Sequence, residues 1–448
     1  MSRGAEGALD AARVERALTP DEVVGLARRL VATPSYAAAH GWEAGVAAVL
    51  EEVLGAAGLQ VRRQPVVAGR ENVLAVLPGV REGPPLLVLN GHMDTVPPPV
   101  DAPRPPLAAE VAEGRLWGRG AADMKGGLAA LAGALLALHR AGVQPPRPIV
   151  LAAVVAEESG NLGTAALVRA GAAWWSAASL PEEGVAARRV GTTASPRAGA
   201  RGGASSGGRP PRQGAVPVSY AVVAEPTGLD LVTAHKGVDR YRITVCGRAA
   251  HSSTPDRGVN AIVRAARLIV ALEERLIPAR DDPPHPLLGR PSYSIGTIQG
   301  GVSRNVVPDR CVFQIEKRYL PGDSPARIRA ALERLATEVL GPGAAVVERE
   351  PEFETIPHPP LAVAADHPLV RAASAAVAEV RGRAPALVGL PGFTDAALLQ
   401  AAGIPAVVCG PGDLTAAHTD DEAVPVDDLW AAARIYIRLA LRVIAAAG

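Results

Sequence analysis

The chain has 448 residues, enough for about two or three domains, and with 48% hydrophobic residues it can bury a large core. Its 46 Lys and Arg stand against 45 Asp and Glu, a balance that argues against nucleic acid or an anionic membrane as the main partner. Cys246, Cys311 and Cys409 are widely spaced with no C-x-x-C pair, the opening "MSRGAEGALDAARVERAL" lacks a signal-peptide hydrophobic region, and the longest apolar stretch (126–138) is too short to span a bilayer, which together predict a cytoplasmic protein with reduced thiols.

The first element is a helix over about 20–32. Thr19 is its N-cap, Pro20 its first residue, and Glu22, three past the cap, completes a capping box. Apolar runs of strand length follow at 73–77, 86–90, 149–155 and 220–224, with a helical pattern at 125–140. Continuous apolar strands alternating with helices predict a mostly parallel sheet covered on both faces. From about 235 the pattern changes. The stretches 239–247 and 309–320 alternate in hydrophobicity, as half-exposed strands do, and helical patterns occupy 258–276 and 324–340. With a last strand at 344–350, the order is strand–helix–strand–strand–helix–strand. That predicts an α+β domain at 235–352 inserted into an α/β domain formed by 1–234 and 353–448. The apolar pattern returns at 404–410 and closes with a helix at 426–446. The segment 172–217 fits neither domain. It is dominated by Gly, Ala, Ser, Pro and Arg, with six arginines against two glutamates, and is predicted to be a solvated, dispensable insertion.

Chemistry-bearing residues gather at the ends of the apolar runs, where parallel α/β sheets place ligands. "NGHMDTVP" ends one run with His92 and Asp94, which share a face in an extended segment. "GRGAADMKGG" sets Asp123 at a helix start, and "EESGNLGT" puts Glu157 and Glu158 just past the run at 149–155. "YAVVAEPTG" ends on Glu225, and "AAHTDDE" places His418 after another run. Any one of these has an ordinary explanation as a cap, turn or surface residue; five at one sheet edge do not. Imidazoles with carboxylates form a mixed N/O set suited to zinc, cobalt or manganese. There are too many donors for one tetrahedral ion, and sharing a carboxylate would suit two ions about 3.5–4 Å apart.

In order and spacing, "LLVLNGHMDTVP", "LWGRGAADMKGG", "EESGNLGT", "AEPTG", "GRAAHSSTPDRGVNAI", "GGVSRNVVPDRC" and "AHTDDE" resemble the M20 dinuclear metallopeptidases. That family includes acetylornithine deacetylase, succinyl-diaminopimelate desuccinylase, aminoacylase and glutamate carboxypeptidase. The resemblance implies two divalent ions, Zn2+ or Co2+ with Mn2+ as a third choice. Asp123 would bridge them, with His92 and Glu225 on one ion and Glu158 and His418 on the other. Asp94 would orient His92, and Glu157 would be the general base. Both glutamates can face the ions only if the chain bends at 157–158, where Gly160 and Gly163 would help. His251 would stabilise the oxyanion, arriving from the second subunit of a homodimer. Asn305 and Arg318 would hold substrate near its carboxylate, and Gly392 and Thr394 of "GFTDA" would line the pocket. Arg318 shares the polar face of its strand with Gln314 and Glu316, as a carboxylate clamp requires. The peptide bond after Asp123 is expected to be cis.

The implied reaction is hydrolysis of the amide bond of an N-acyl amino acid, with a dipeptidase or carboxypeptidase as the alternative. A retired metal-binding scaffold is disfavoured because Glu157 is present. Nucleic-acid binding through the basic insertion is disfavoured by net charge and by the lack of interleaved aromatics.

Overall fold

The computed structural model describes residues 10–37, 39–100, 104–171, 219–276 and 284–447; the insertion expected at 172–217 lies outside the described residues. The helix Pro20–Ala32 carries both halves of the capping box. Strands Arg70–Leu77, Leu87–His92, Ile149–Val154 and Tyr220–Val223 occupy the apolar runs, and helices Gly126–Arg140 and Val426–Ala447 take the periodic stretches.

Among the described residues the large sheet has nine strands. Its centre is parallel: Ile149–Val154, Leu87–His92, Tyr220–Val223 and Ala406–Val408 lie side by side in that order. Antiparallel pairs flank this centre, Arg70–Leu77 and Gln60–Val67 on one side and Leu231–His235 with Leu361–Ala362 on the other. Alternation sorts the side chains. Leu87, Leu89, Ile149 and Leu151 join a core with the helix Gly126–Arg140, buried from Gly126 to Leu138, and with Val426–Ala447. Val88, Val150 and Ala152 turn to the other face, toward Leu167 and Leu399 of the helices Leu162–Arg169 and Ala396–Ala401. The apolar helix at 126–140 is thus a core helix.

Strand Leu231–His235 runs through Lys236 directly into Gly237–Cys246, part of a second sheet. Its order is Ser292–Gly300, Arg310–Tyr319, Gly237–Cys246, Ala345–Arg349, all antiparallel. Helices Ala261–Arg275 and Pro325–Leu340 cover one face over Tyr241, Ile243, Phe313 and Ile315. The other face is polar: Arg240 and Arg318 both pair with Glu316, and Arg242 pairs with Glu350. Arg318 stands opposite Val238, beside the junction with the large sheet. A three-stranded ribbon, Glu110–Ala112, Arg115–Trp117 and Ala423–Pro425, brings 118–125 against 418–422.

Candidate metal centre and active-site cavity

His92 is the last residue of its strand and is almost fully buried. Its Nε2 lies 2.9 Å from Asp123 Oδ1 and 3.7 Å from Glu225 Oε1. On the other side of Asp123, His418 Nε2 lies 3.3 Å from Oδ2 and 3.0 Å from Glu158 Oε1. The two carboxylate oxygens of Asp123 therefore face different histidines. His92, Asp123 and Glu225 form one set of donor atoms close enough to share an ion, and Asp123, Glu158 and His418 form another.

Electrostatics favour cations here. Burial pushes Glu225 well above the ordinary carboxylate value, and the charges of Asp123 and Glu157 push it further. Burial opposes the imidazolium of His92, yet Glu225 and Asp123 hold it well above its usual value. Hydrogen bonds to Asp123 and Glu158 raise His418 to about 10. A divalent ion would take over from these protons, since metal ligands bind in their deprotonated forms. The residues present fit two such ions: an N/O donor set, two groups of three, and one carboxylate common to both.

Local sequence explains how the donors are presented. The Asp123–Met124 peptide is cis, as expected. A Cβ on Gly127 would lie 2.2 Å from the carbonyl oxygen of Ala224, and one on Gly410 would lie 2.3 Å from the same atom. Only glycines at these positions let the helix start and the strand end meet beside Glu225. Lys125 is fully buried and its Nζ donates to the Thr33 carbonyl at 2.7 Å. Burial pulls this ammonium down to about 7, opposed by Glu422 and Asp94.

The bend expected at 157–158 is present and starts one residue earlier, at Ala156 with φ 59°. Two buried carboxylates fix it. Glu43 accepts from the Ala156 N–H at 3.1 Å while paired with Arg70. Asp94 accepts from the N–H groups of Glu157 and Glu158, each at 3.1 Å. The contact that orients His92 differs from the side-chain contact expected: its Nδ1 lies 2.9 Å from the main-chain oxygen of Asp94, and the carboxylate stays 3.7 Å away. Asp94 uses its side chain on the glutamate bend instead, and burial raises that carboxyl to about 6.

Glu157 and Glu158 open onto a cavity of about 750 Å3 whose walls include Asn161, Arg318, Phe353, Gly392 and Phe393. Burial pushes Glu157 well above the ordinary carboxylate value; His92 opposes this, and Asp395, Glu158 and Asp123 add to it. Thr394 is buried beside this wall, its hydroxyl accepting from the Ala396 N–H at 3.3 Å. His251 and Asn305 lie together elsewhere, on exposed loops of the four-stranded unit. The Ser252 N–H donates to the Asn305 carbonyl at 3.0 Å, and His251 Nδ1 is 2.7 Å from Ser253 Oγ. Neither lines this cavity.

Sequence reasoning missed several polar groups around the centre. Glu422 was within reach, because "AHTDDE" ends on it, but a surface acid and a buried one look alike in a sequence. Lys125, Arg119 and Glu43 gave no signal beyond composition.

The match to known proteins follows this geometry. The Peptidase family M20/M25/M40 model matches residues 88–442. Acetylornithine deacetylase of Myxococcus xanthus is 34% identical over 394 residues, covering 84% of this chain and 86% of its own length. The Proteus mirabilis acetylornithine deacetylase is 29% identical over 415 residues, with 90% and 91% covered. Among solved structures, the aminopeptidase PepT of Bacillus cereus superposes with a TM-score of 0.67 at 24% identity, covering 95% of this chain and 99% of its own. The Bacillus subtilis YXEP protein, a dinuclear metal binding peptidase of the M20 family, gives 0.65 at 18% identity, with 97% and 99% covered. With the family model matched over most of its length and a relative 34% identical over 84% of it, the chain belongs to the M20/M25/M40 peptidase family and is a hydrolase of amide bonds.

Proposed function

We propose that the chain hydrolyses the amide bond of small N-acyl amino acids, in the manner of the acetylornithine deacetylases it is similar to. The observation that carries this reading is Asp123, whose two oxygens face His92 and His418 beside Glu157. Two ions, zinc or cobalt with manganese as a third choice, would be held by His92, Asp123 and Glu225 and by Asp123, Glu158 and His418. When bound, they supply a polarised scissile carbonyl and a water that loses its proton near neutral pH.

The chain's own residues do the rest. Glu157 takes the proton of the attacking water and returns it to the leaving amine nitrogen. Arg318 offers a guanidinium on the cavity wall for the substrate carboxylate, and two-pronged pairing of this kind is both strong and directional. Gly392 and Thr394 belong to the loop along that wall. His251 and Asn305 act on the oxyanion and the substrate from the partner subunit of a cytoplasmic homodimer, which agrees with their exposure here. The catalytic unit is formed by 1–234 and 353–448, and 235–352 is the lid and dimerisation domain.

A hydrolysis panel of N-acetyl, N-succinyl and dipeptide substrates on zinc- and cobalt-loaded protein tests the reading. N-acyl amino acids should be cleaved with the highest kcat/KM. Preference for dipeptides would move the assignment to the peptidase branch, and inactivity on every member would overturn it.

A further inference from the structure

Asn161 Nδ2 donates to Glu157 Oε1 at 3.0 Å and to Asp395 Oδ1 at 3.0 Å. A carboxamide nitrogen carries two hydrogens, and both are engaged by these carboxylates. Asn161 and Asp395 are almost fully buried. The backbone sets this arrangement. Asn161 sits at φ 56°, ψ 32°, a left-handed conformation that asparagine tolerates better than most residues. Asp395 opens the helix Ala396–Ala401 and directly follows the loop whose Gly392 and Phe393 line the cavity.

We propose that Asn161 and Asp395 are positioning residues for Glu157, an inference that rests on Glu157 being the base. Asp395 anchors the amide, the amide fixes Oε1, and Oε2 is left to take and return the proton. Two neighbouring carboxylates repel each other, and the shared donor lets them stand side by side. A free glutamate side chain also samples several rotamers, only some of which aim an oxygen at the reacting water. A displacement of about 1 Å at such a centre costs about 100-fold in rate.

Asn161→Gly deletes the amide while keeping a residue that adopts the left-handed backbone freely. We expect kcat to fall about 10–100-fold, the scale of losing an outer partner of a catalytic group, with KM changed less than about threefold and metal content per chain unchanged. Asp395→Ala should act in the same direction. Asp395→Asn should recover most of the rate lost in Asp395→Ala, because its amide oxygen still accepts from Asn161. In a Glu157→Gln background, Asn161→Gly should lower the residual rate less than about twofold, the signature of two residues acting as one unit. An equal loss in both backgrounds would overturn the clamp, as would an unchanged kcat in Asn161→Gly when Glu157→Gln is inactive. Full activity in Glu157→Gln would instead remove the base assignment itself. If Asn161→Gly fails to fold, Asp395→Asn no better than Asp395→Ala would equally contradict the clamp.

Discussion

The carboxylate of Glu422 accepts a hydrogen bond from the backbone N–H of Asp123 at 3.0 Å, and the same oxygen accepts from the Ala122 N–H at 3.0 Å. Its second oxygen pairs with Arg119, also buried. A residue near the end of the chain thus holds the turn that aims the carboxylate shared by both donor sets. Glu422→Ala would leave a buried guanidinium unpaired and two N–H groups without their acceptor. Breaking such a pair costs about 3–5 kcal/mol, and metal content should fall with it. Urea unfolding together with elemental analysis checks this; a loss under about 1 kcal/mol with full metal content would contradict it.

The two donor sets should empty separately. His92→Ala should deplete the ion shared by Asp123 and Glu225, and His418→Ala the one shared by Asp123 and Glu158. Each variant should drop from about two ions per chain to about one. Cobalt titration followed by absorption spectroscopy should find different spectra for the two remaining sites. Identical spectra would mean that the histidines serve one ion.

Arg318 should govern substrate binding more than chemistry. Arg318→Ala is expected to raise KM about 10–100-fold for a substrate with a free carboxylate, the loss of one charge-assisted pair. The amidated substrate should lose much less. Steady-state kinetics on both substrates tests this, and an equal effect on the two would rule out a carboxylate clamp.

Stability should depend on His235, which is buried at the end of its strand against Phe393. Burial pulls its pKa down from 6.5 to about 4, and Arg318 acts in the same direction. The folded protein therefore binds fewer protons than the unfolded chain between these values. This contribution to stability is fully present above pH 6.5 and is lost as pH falls toward 4. Between pH 7 and pH 4.5 it amounts to about 2–3 kcal/mol. Denaturant unfolding at both pH values should give a smaller difference for His235→Gln than for the parent; an unchanged difference would refute the assignment.

Much of the centre was legible because His92 and three of its glutamates sit at the ends of apolar runs. His92, Glu157, Glu158 and Glu225 follow buried strands, and the order of strands and helices was sufficient to bring them to one edge. What could not be read was the wiring between distant segments. Glu422 meets Asp123 across about 300 residues and Asn161 meets Asp395 across 234, and no local periodicity records such a meeting. The antiparallel flanks of the large sheet escaped because strand direction leaves no mark in an apolar run. The edge strand Ser292–Gly300 was implied by the order of elements but had no readable bounds, because it is largely exposed and lacks the alternation that burial imposes. For Asp94 the residue and the spacing were right and the atom differs, since its main-chain oxygen is the one within hydrogen-bond distance of His92.

The central claim assigns proton transfer to Glu157 and ion binding to Glu158, and parallel measurement of kcat and metal stoichiometry on Glu157→Gln and Glu158→Gln tests it most directly. Glutamine keeps the shape of the side chain and removes the base. Glu157→Gln should hold about two ions per chain while kcat falls about 10²–10⁴-fold, and Glu158→Gln should lose one ion. Retained metal in Glu158→Gln with lost metal in Glu157→Gln would reverse the two roles, and full activity in Glu157→Gln would contradict the mechanism.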